Sequence, residues 1–450
     1  MARIKNIKCD FVVINHGFAM DRVWVGDDIQ VHLVVNSIIN SAYPRPFCRL
    51  GGQGQNSILF KELENIFSNL NIRSFGHQSY NITGMNKFKI EGFIYKNVLR
   101  PFLFMTNSEK IHDLMTVAGE SMENANRLLE ALFSYQSGES KKSLLGIDFD
   151  NPVGLAAGFD YDGHLAKTMK HIGFGFNTVG TVTAKPYGGN KKPRLLRLVK
   201  SQSLLVNKGF KSDGAVNVAK RLDLKNLEGH TVGISVGSSN IPAVNTIDKA
   251  IKDYIFTFNI FKNKPYVAYF ELNISCPNTA MSESFTAPQN FEKLVSAVSK
   301  LGLRQPIFVK MPNEISVDGA ENLVRIGLRQ AIKGYIFSNL VKDRKNKWFV
   351  KSEIEAMKDF KGNFSGRPCF ENSNKLLKHI RSKFGNKVVL VGLGGIFNAE
   401  DAIQKFESGA DLVQLITGMI FEGPQIAGEI NSALVSDFDI RIPVPGTDYI

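Results

Sequence analysis

The densest group of reactive side chains lies at Glu271-Leu272-Asn273-Ile274-Ser275-Cys276-Pro277-Asn278-Thr279. An apolar run from Tyr266 to Leu272 leads into it and reads as a buried strand. Amide, hydroxyl and thiol groups at the C-terminal end of such a strand are costly to bury unless something binds them. In parallel α/β folds that end is where sites are built. A thiol between two asparagines points to a general base or nucleophile beside groups that hold a planar polar ligand. The competing reading is a capped strand end whose buried cysteine acts as a small hydrophobe.

Other segments favour the first reading. Lys310 closes the apolar stretch Ile307-Phe308-Val309. It either meets a buried anion, which a reduced flavin could supply, or snorkels to the rim. Glycines cluster at Gly392-Leu393-Gly394-Gly395-Ile396 and again at Ile416-Thr417-Gly418. Their backbone N–H groups suit a phosphate, although glycines also serve tight turns. Leu155-Ala156-Ala157-Gly158-Phe159-Asp160 offers small residues against which a flat ring can lie, and Thr181, Ser338 and Asn339 end further apolar runs. Together these features suggest FMN with an acid/base partner. Pyridoxal phosphate would fit the lysine, but hydride chemistry better explains a cysteine flanked by amides. No metal-ligand spacing is present.

The elements that must position these residues alternate along the chain. Apolar runs at Val153–Ala157, Phe174–Val179, Thr231–Val236, Val267–Leu272, Pro306–Lys310, Gly334–Phe337, Lys387–Val391 and Asp411–Ile416 read as strands buried on both faces. Helical patterns follow most of them, at Val216–Leu222, Asp248–Phe261, Asn290–Leu301, Ala320–Arg329, Asn372–Phe384, Ala399–Phe406 and Pro424–Leu434. The alternation predicts an α/β fold, a (β/α)8 TIM barrel spanning 145–450. A doubly wound open sheet is the runner-up, and the lack of GxGxxG after the first strand counts against it.

Residues 85–134 differ. Apolar side chains from Phe93 to Phe104 crowd a segment broken by Pro101, and Ser108-Glu109-Lys110 opens a second helix. The spacing predicts an amphipathic helical hairpin, lying on a membrane surface or packed on the barrel. Residues 1–84 carry no usable motif and stay unassigned; Met85 is expected to be the functional start.

Four scattered cysteines (Cys9, Cys48, Cys276, Cys369) give no disulfide or zinc framework and fit a reducing compartment. The net charge of +13 is not localised in any block, so a solvated basic surface is expected rather than a nucleic-acid footprint. No stretch reaches transmembrane length and no signal-peptide pattern opens the chain. The expected location is the cytoplasm or the cytoplasmic face of a membrane, with peripheral contact through 85–134.

Several long motifs carry a resemblance. NPVGLAAGFD, GFGFNTVGTVT and GGNKKPRLLRL within 151–197, NISCPNT, FSGRP at 364–368, GLGGI at 392–396 and LVQLITGMIFEGP at 412–424 closely resemble the quinone-dependent, class 2 dihydroorotate dehydrogenases. YKNVLRPFLFMTNSEKIHDL at 95–114 is similar to that class's N-terminal membrane-associating helices. The match covers roughly residues 93–450.

The resemblance implies that a base takes a proton from C5 of dihydroorotate while hydride leaves C6 for FMN, and that a quinone accepts the electrons. Ala156, Ala157, Gly158, Thr181, Asn273, Lys310, Ser338, Gly366, Gly394, Gly395, Ile416 and Thr417 would then contact FMN, with Ser235 standing where the family has asparagine. Asn278 and Asn339 would hold the orotate ring, and Cys276 falls on the catalytic base. Class 2 members usually carry serine there, and a cysteine resembles class 1. A thiol, at about 8.5 unperturbed, needs less help near neutral pH.

Other positions depart from the family pattern. Tyr161 replaces the substrate-binding lysine after AAGFD, with Lys208 or Lys211 nearby to restore the charge. The substrate-loop asparagine aligns with Val206, although Asn207 sits one place along. Met281-Ser282-Glu283 replaces Gly-Leu-Arg after the catalytic loop. The rival activities are reduction of uracil in tRNA by a related FMN barrel, and flavin binding without dihydroorotate turnover.

Overall fold

A computed structural model describes residues 87–135, 137, 140–279 and 284–436. The expectations for 1–84, Met85 and Met281-Ser282-Glu283 lie outside these residues.

Eight parallel strands close a barrel: β1 Val153–Leu155, β2 Phe176–Val182, β3 Val232–Val236, β4 Val267–Asn273, β5 Ile307–Met311, β6 Gly334–Phe337, β7 Val389–Leu393 and β8 Leu412–Leu415. Each strand pairs with its sequence neighbours, and β8 returns to β1. Every run expected to be a strand overlaps one, with ends shifted by one or two residues in most. The expected helices also form, as Ala215–Asp223, Ile247–Phe261, Pro288–Ser299, Val317–Arg329, Phe370–Phe384, Ala399–Glu407 and Ile426–Ser436.

Side-chain alternation along each strand splits the core in two. Phe270 and Leu272 of β4 join the layer between sheet and helices, where the Phe258 and Phe270 rings meet edge-on. Tyr269 faces the barrel interior with Phe176 and Phe308. A hairpin, Lys142–Leu144 with Ile147–Phe149, brings Phe149 against Phe176 and Tyr269. Its turn residues Leu145 and Gly146 both have positive φ, a type I′ geometry usually signalled by Asn-Gly. The sequence reading therefore overlooked it.

An antiparallel sheet of Leu195–Leu198, Ser203–Val206 and Asn363–Gly366 was also not anticipated. Its strands are only four residues long, and the first two lack a polar/apolar alternation, so their sequence looks like loop.

Before the barrel come α1 Lys87–Ile94, α2 Arg100–Met105, α3 Ser108–Ser121 and α4 Asn126–Phe133. Pro101 does not break the first run as the sequence reading expected. A π-helical turn, Tyr95–Leu99, joins α1 to α2, and the Arg100 N–H donates to the Tyr95 carbonyl. That wider turn makes room for a residue with no N–H and a bulky ring. Asn107 caps α3 by accepting from the N–H groups of Glu109 and Lys110 at 3.0 and 3.2 Å. The helix α4 adds a third leg to the expected hairpin.

Gly233 in β3 faces the Tyr269 ring: a Cβ there would lie 2.2 Å from two ring carbons. Because Tyr269 is 2% exposed and bonded through its hydroxyl to Thr178, it has nowhere to move. Gly233→Ala is expected to cost about 1–3 kcal/mol or more through overpacking, read as a lower urea midpoint with an unchanged slope.

Candidate active site

The same alternation that puts Tyr269 inside the barrel also puts Glu271 and Asn273 there, two and four residues further along β4. Lys310 follows Phe308 in the same way on β5, and the register sets Asn273 opposite Lys310. The interior thus changes from aromatic to polar towards the C-terminal ends of the strands. Lys310 Nζ lies 3.3 Å from Glu271 Oε1, and both residues are buried. The Ser235 hydroxyl donates to the same Oε1 at 2.7 Å. Ser235 is in turn 3.0 Å from the Thr181 hydroxyl, to which the Asn273 amide donates at 2.9 Å. One continuous chain of polar contacts therefore crosses β2, β3, β4 and β5. Among the described residues Glu271 Oε2 has no hydrogen-bond partner, although the residue is 0% exposed.

Glu271 answers the question Lys310 raised. The buried anion is a carboxylate of the chain itself. The sequence reading quoted Glu271 without assigning it a role; the signal was its place two residues before Asn273, on the same strand face.

A cleft opens beside this chain of contacts. Ala156, Ala157, Lys310, Ser338, Asn339, Gly366, Gly394, Gly395, Ile416 and Thr417 line it, all of them expected from the sequence. Ser365 and Cys369 line it unexpectedly. Thr181, Ser235 and Asn273 join through the polar chain rather than through the cleft wall. Gly158 packs alongside, its N–H donating to the Gly180 carbonyl at 2.8 Å. Gly394 and Gly395 have φ of +108° and +78°, and a Cβ on either would collide with Cys369 or Phe370. Only glycine fits there. The Ser365 and Thr417 hydroxyls stand 2.8 Å apart at the same end of the cleft.

Cys276 sits half-buried on the loop that leaves β4. Ser275 pins that loop. Its hydroxyl donates to the Lys310 carbonyl at 2.7 Å, and the Asn339 amide reaches both its carbonyl and its hydroxyl at 3.0 Å. Beyond Cys276, the Asn278 amide donates to the Val206 carbonyl at 3.0 Å and its oxygen accepts from Asn363 at 2.6 Å.

Asn190 joins the loop of Asn207 to that of Asn278. Its amide donates to the Asn207 side chain and the Asn278 carbonyl, both at 2.9 Å. Its oxygen accepts from Tyr187 at 2.7 Å and Asn240 at 3.1 Å. Asn190 and Asn363 were not singled out from the sequence, because they come from segments remote in the chain. Tyr161 packs apart from these amides, its ring centroid 4.9 Å from that of His112 and 5.2 Å from Lys208 Nζ.

Removing one partner of a buried ion pair strands the other, whereas removing both does not. Lys310→Met is expected to cost about 3–5 kcal/mol in unfolding free energy, and Lys310→Met with Glu271→Leu to recover most of that loss. Denaturant titration of the two variants and the parent distinguishes these outcomes. Additive losses in the double variant would show that the two side chains do not act as a pair.

Residues 140–437 match the family model for dihydroorotate dehydrogenase. Among curated proteins, the chain is 34% identical to the dihydroorotate dehydrogenase (quinone) of Bartonella henselae, over 74% of this chain and 89% of that protein. It is 32% identical to the enzyme of the same name from Christiangramia forsetii, over 76% and 99%. Of solved structures, DHODH from Eimeria tenella in complex with ferulenol superimposes with a TM-score of 0.64 at 25% identity, over 74% of this chain and 92% of that one. The barrel, the cleft and these matches agree: the chain belongs to the dihydroorotate dehydrogenase family.

Proposed function

We propose that this chain oxidises dihydroorotate to orotate for pyrimidine synthesis, with FMN as resident cofactor and a membrane quinone as final acceptor. The supporting observation is the pairing of a glycine-walled cleft with the asparagine-flanked Cys276 loop at one end of the barrel. FMN fits the donor set. At one end of the cleft, Gly366, Gly394, Gly395 and Thr417 provide backbone N–H and hydroxyl groups for a phosphate. At the other, Lys310, Asn339 and the nearby Asn273 offer ammonium and amide donors to a ring edge, and Ala156 and Ala157 supply a flat wall. Bound there, FMN would accept hydride from C6 of the substrate and relay the electrons onward.

The chain's own groups do the rest. Cys276 takes the C5 proton onto its sulfur, on a loop that Ser275 holds against Lys310 and Asn339. Asn207, Asn278 and Asn339 present amides to the planar ring, and Asn190 fixes the first two relative to each other. Lys310 keeps a positive charge at the cleft while Glu271 holds its position from behind.

Peripheral membrane contact rests on α3. Glu109, His112, Thr116 and Gly119 turn towards the barrel side, through bonds from Glu109 to Arg194, from His112 to Phe159 and from Thr168 to Gly119. The opposite face exposes Leu114, Met115 and Val117, and α2 adds Phe102 and Met105, 67% and 80% exposed. A helix that buries polar groups and shows apolar ones to solvent is built to meet another apolar phase. No helix of the described residues is long and apolar enough to cross a membrane.

Anaerobic addition of dihydroorotate to the flavin-loaded protein is expected to bleach the flavin rapidly. Bleaching by dithionite alone would overturn this choice of substrate. Cys276→Ala is expected to retain FMN yet slow the bleaching by about 10²–10⁴-fold, the usual contribution of a positioned base. Near-parental rates would remove Cys276 from that role.

Phe102→Asp with Val117→Asp is expected to abolish sedimentation with anionic lipid vesicles and to slow reduction of a long-chain quinone. Flavin bleaching by dihydroorotate should be unchanged. Undiminished vesicle binding would show that this face serves another contact.

A further inference from the structure

Next to Tyr161 the chain buries one carboxylate that two cations share. Glu109 on α3 accepts from Arg194 Nε at 2.8 Å and from Lys208 Nζ at 3.0 Å, both through Oε1. All three residues are buried, at 5–7% exposure. Two cations thus depend on one carboxylate. Asp160 and Asp162, on either side of Tyr161, are also buried, but their oxygens accept from the backbone N–H groups of Gly163, Leu165 and Asp213. Lys192 and Lys211 are further cations, and burial together with the charge of Lys208 holds His112 below its ordinary range, favouring its neutral form. Asp113 is 58% exposed and lies 4.0 Å from Lys211.

The two buried cations are not equivalent. Arg194 is occupied, donating also to the carbonyls of Gly188 and Asn190. Among the described residues the Lys208 ammonium makes one hydrogen bond, to Glu109, which uses one of its three N–H donors. It follows directly on Asn207, and its carbonyl accepts from the Asn190 N–H at 3.2 Å. A buried ammonium with donors to spare, on the loop of the asparagine cluster, calls for an anion.

We infer that Lys208, positioned by Glu109, binds the carboxylate of the substrate and so takes over from the lysine that Tyr161 replaces. The inference rests on the proposed dihydroorotate chemistry and extends it, since it ties the substrate's charged end to the helix that exposes Leu114, Met115 and Val117. Lys211, partly exposed and 4.0 Å from Asp113, does not have this role.

The test compares binding of orotate and of its carboxamide, which has the same ring but no charge, by titrating the flavin-loaded protein. The parent is expected to prefer orotate by tenfold or more. In Lys208→Met that preference should collapse, with the KM for dihydroorotate raised at least tenfold and kcat changed far less. Lys211→Met should behave as the parent does. Tyr161→Lys added to Lys208→Met should restore the preference, which shows that a misfolded variant is not the cause. A parent that binds orotate tightly while Lys208→Met keeps its preference would overturn the assignment to Lys208 alone. A parent that neither binds orotate nor bleaches with dihydroorotate would overturn the proposed function, and this inference with it.

Discussion

Lys310 and Glu271 bring opposite charges into the closed interior of a β-barrel, and the polar half of the molecule is arranged around that pair. Two ions taken out of water repay their desolvation only when geometry is good and neighbouring groups supply further hydrogen bonds. Ser235 provides one such bond, and Thr181 and Asn273 extend it. These residues come from four adjacent strands, so the pair holds only if β2 to β5 keep their register. A one-residue slip would turn each of these side chains outward among the helices. The constraint works in both directions. A closed barrel fixes the register, and the fixed register lets the barrel tolerate charge where its aromatic lower half could not.

The polarity gradient also explains why the cleft forms where it does. Below Glu271 the interior is filled by Tyr269, Phe176 and Phe308, with the Tyr269 hydroxyl satisfied by Thr178 and the Thr178 hydroxyl by Gln414. Above it, small residues and glycines replace bulk, and the loops carry the amides. Ser275 is the hinge between the two regimes, because one hydroxyl anchors the Cys276 loop to the backbone of Lys310. The loop that carries the thiol is thereby held relative to the buried pair. Placement to within a fraction of an ångström is what a proton transfer timed with hydride loss requires.

The barrel was legible because its strands are continuous apolar runs separated by helical periods, a local signal that needs no partner to be read. The cleft was legible for a related reason. Small residues, glycines and a strand-ending lysine each announce themselves in a few positions. Glu271 was on the page too, but its meaning depended on knowing that it shares an interior face with Lys310. Asn190, Asn363 and the short antiparallel sheet were beyond local reading, since their partners lie tens of residues away and their own segments look like loop. Pro101 misled for the opposite reason. The local rule that proline breaks a helix is sound, and a π-turn over Tyr95–Leu99 satisfied it without a break.

The helix α3 shows how two ends of such an enzyme can be coupled without a moving domain. Its inner face places Glu109 between Arg194 and Lys208, His112 on the Phe159 carbonyl and Glu120 on His164. Its outer side exposes Leu114, Met115 and Val117 together with Lys110 and Asp113. An ordinary surface helix reverses this arrangement, with apolar residues inward and polar ones outward. Reversal costs stability in water unless the outer face finds an apolar phase and the inner face finds compensating charge. The Arg194–Lys208 cations meet the second condition. A substitution that unseats Glu109 therefore disturbs the Lys208 loop and the orientation of the exposed apolar side chains together, because a rigid helix cannot adjust one side alone.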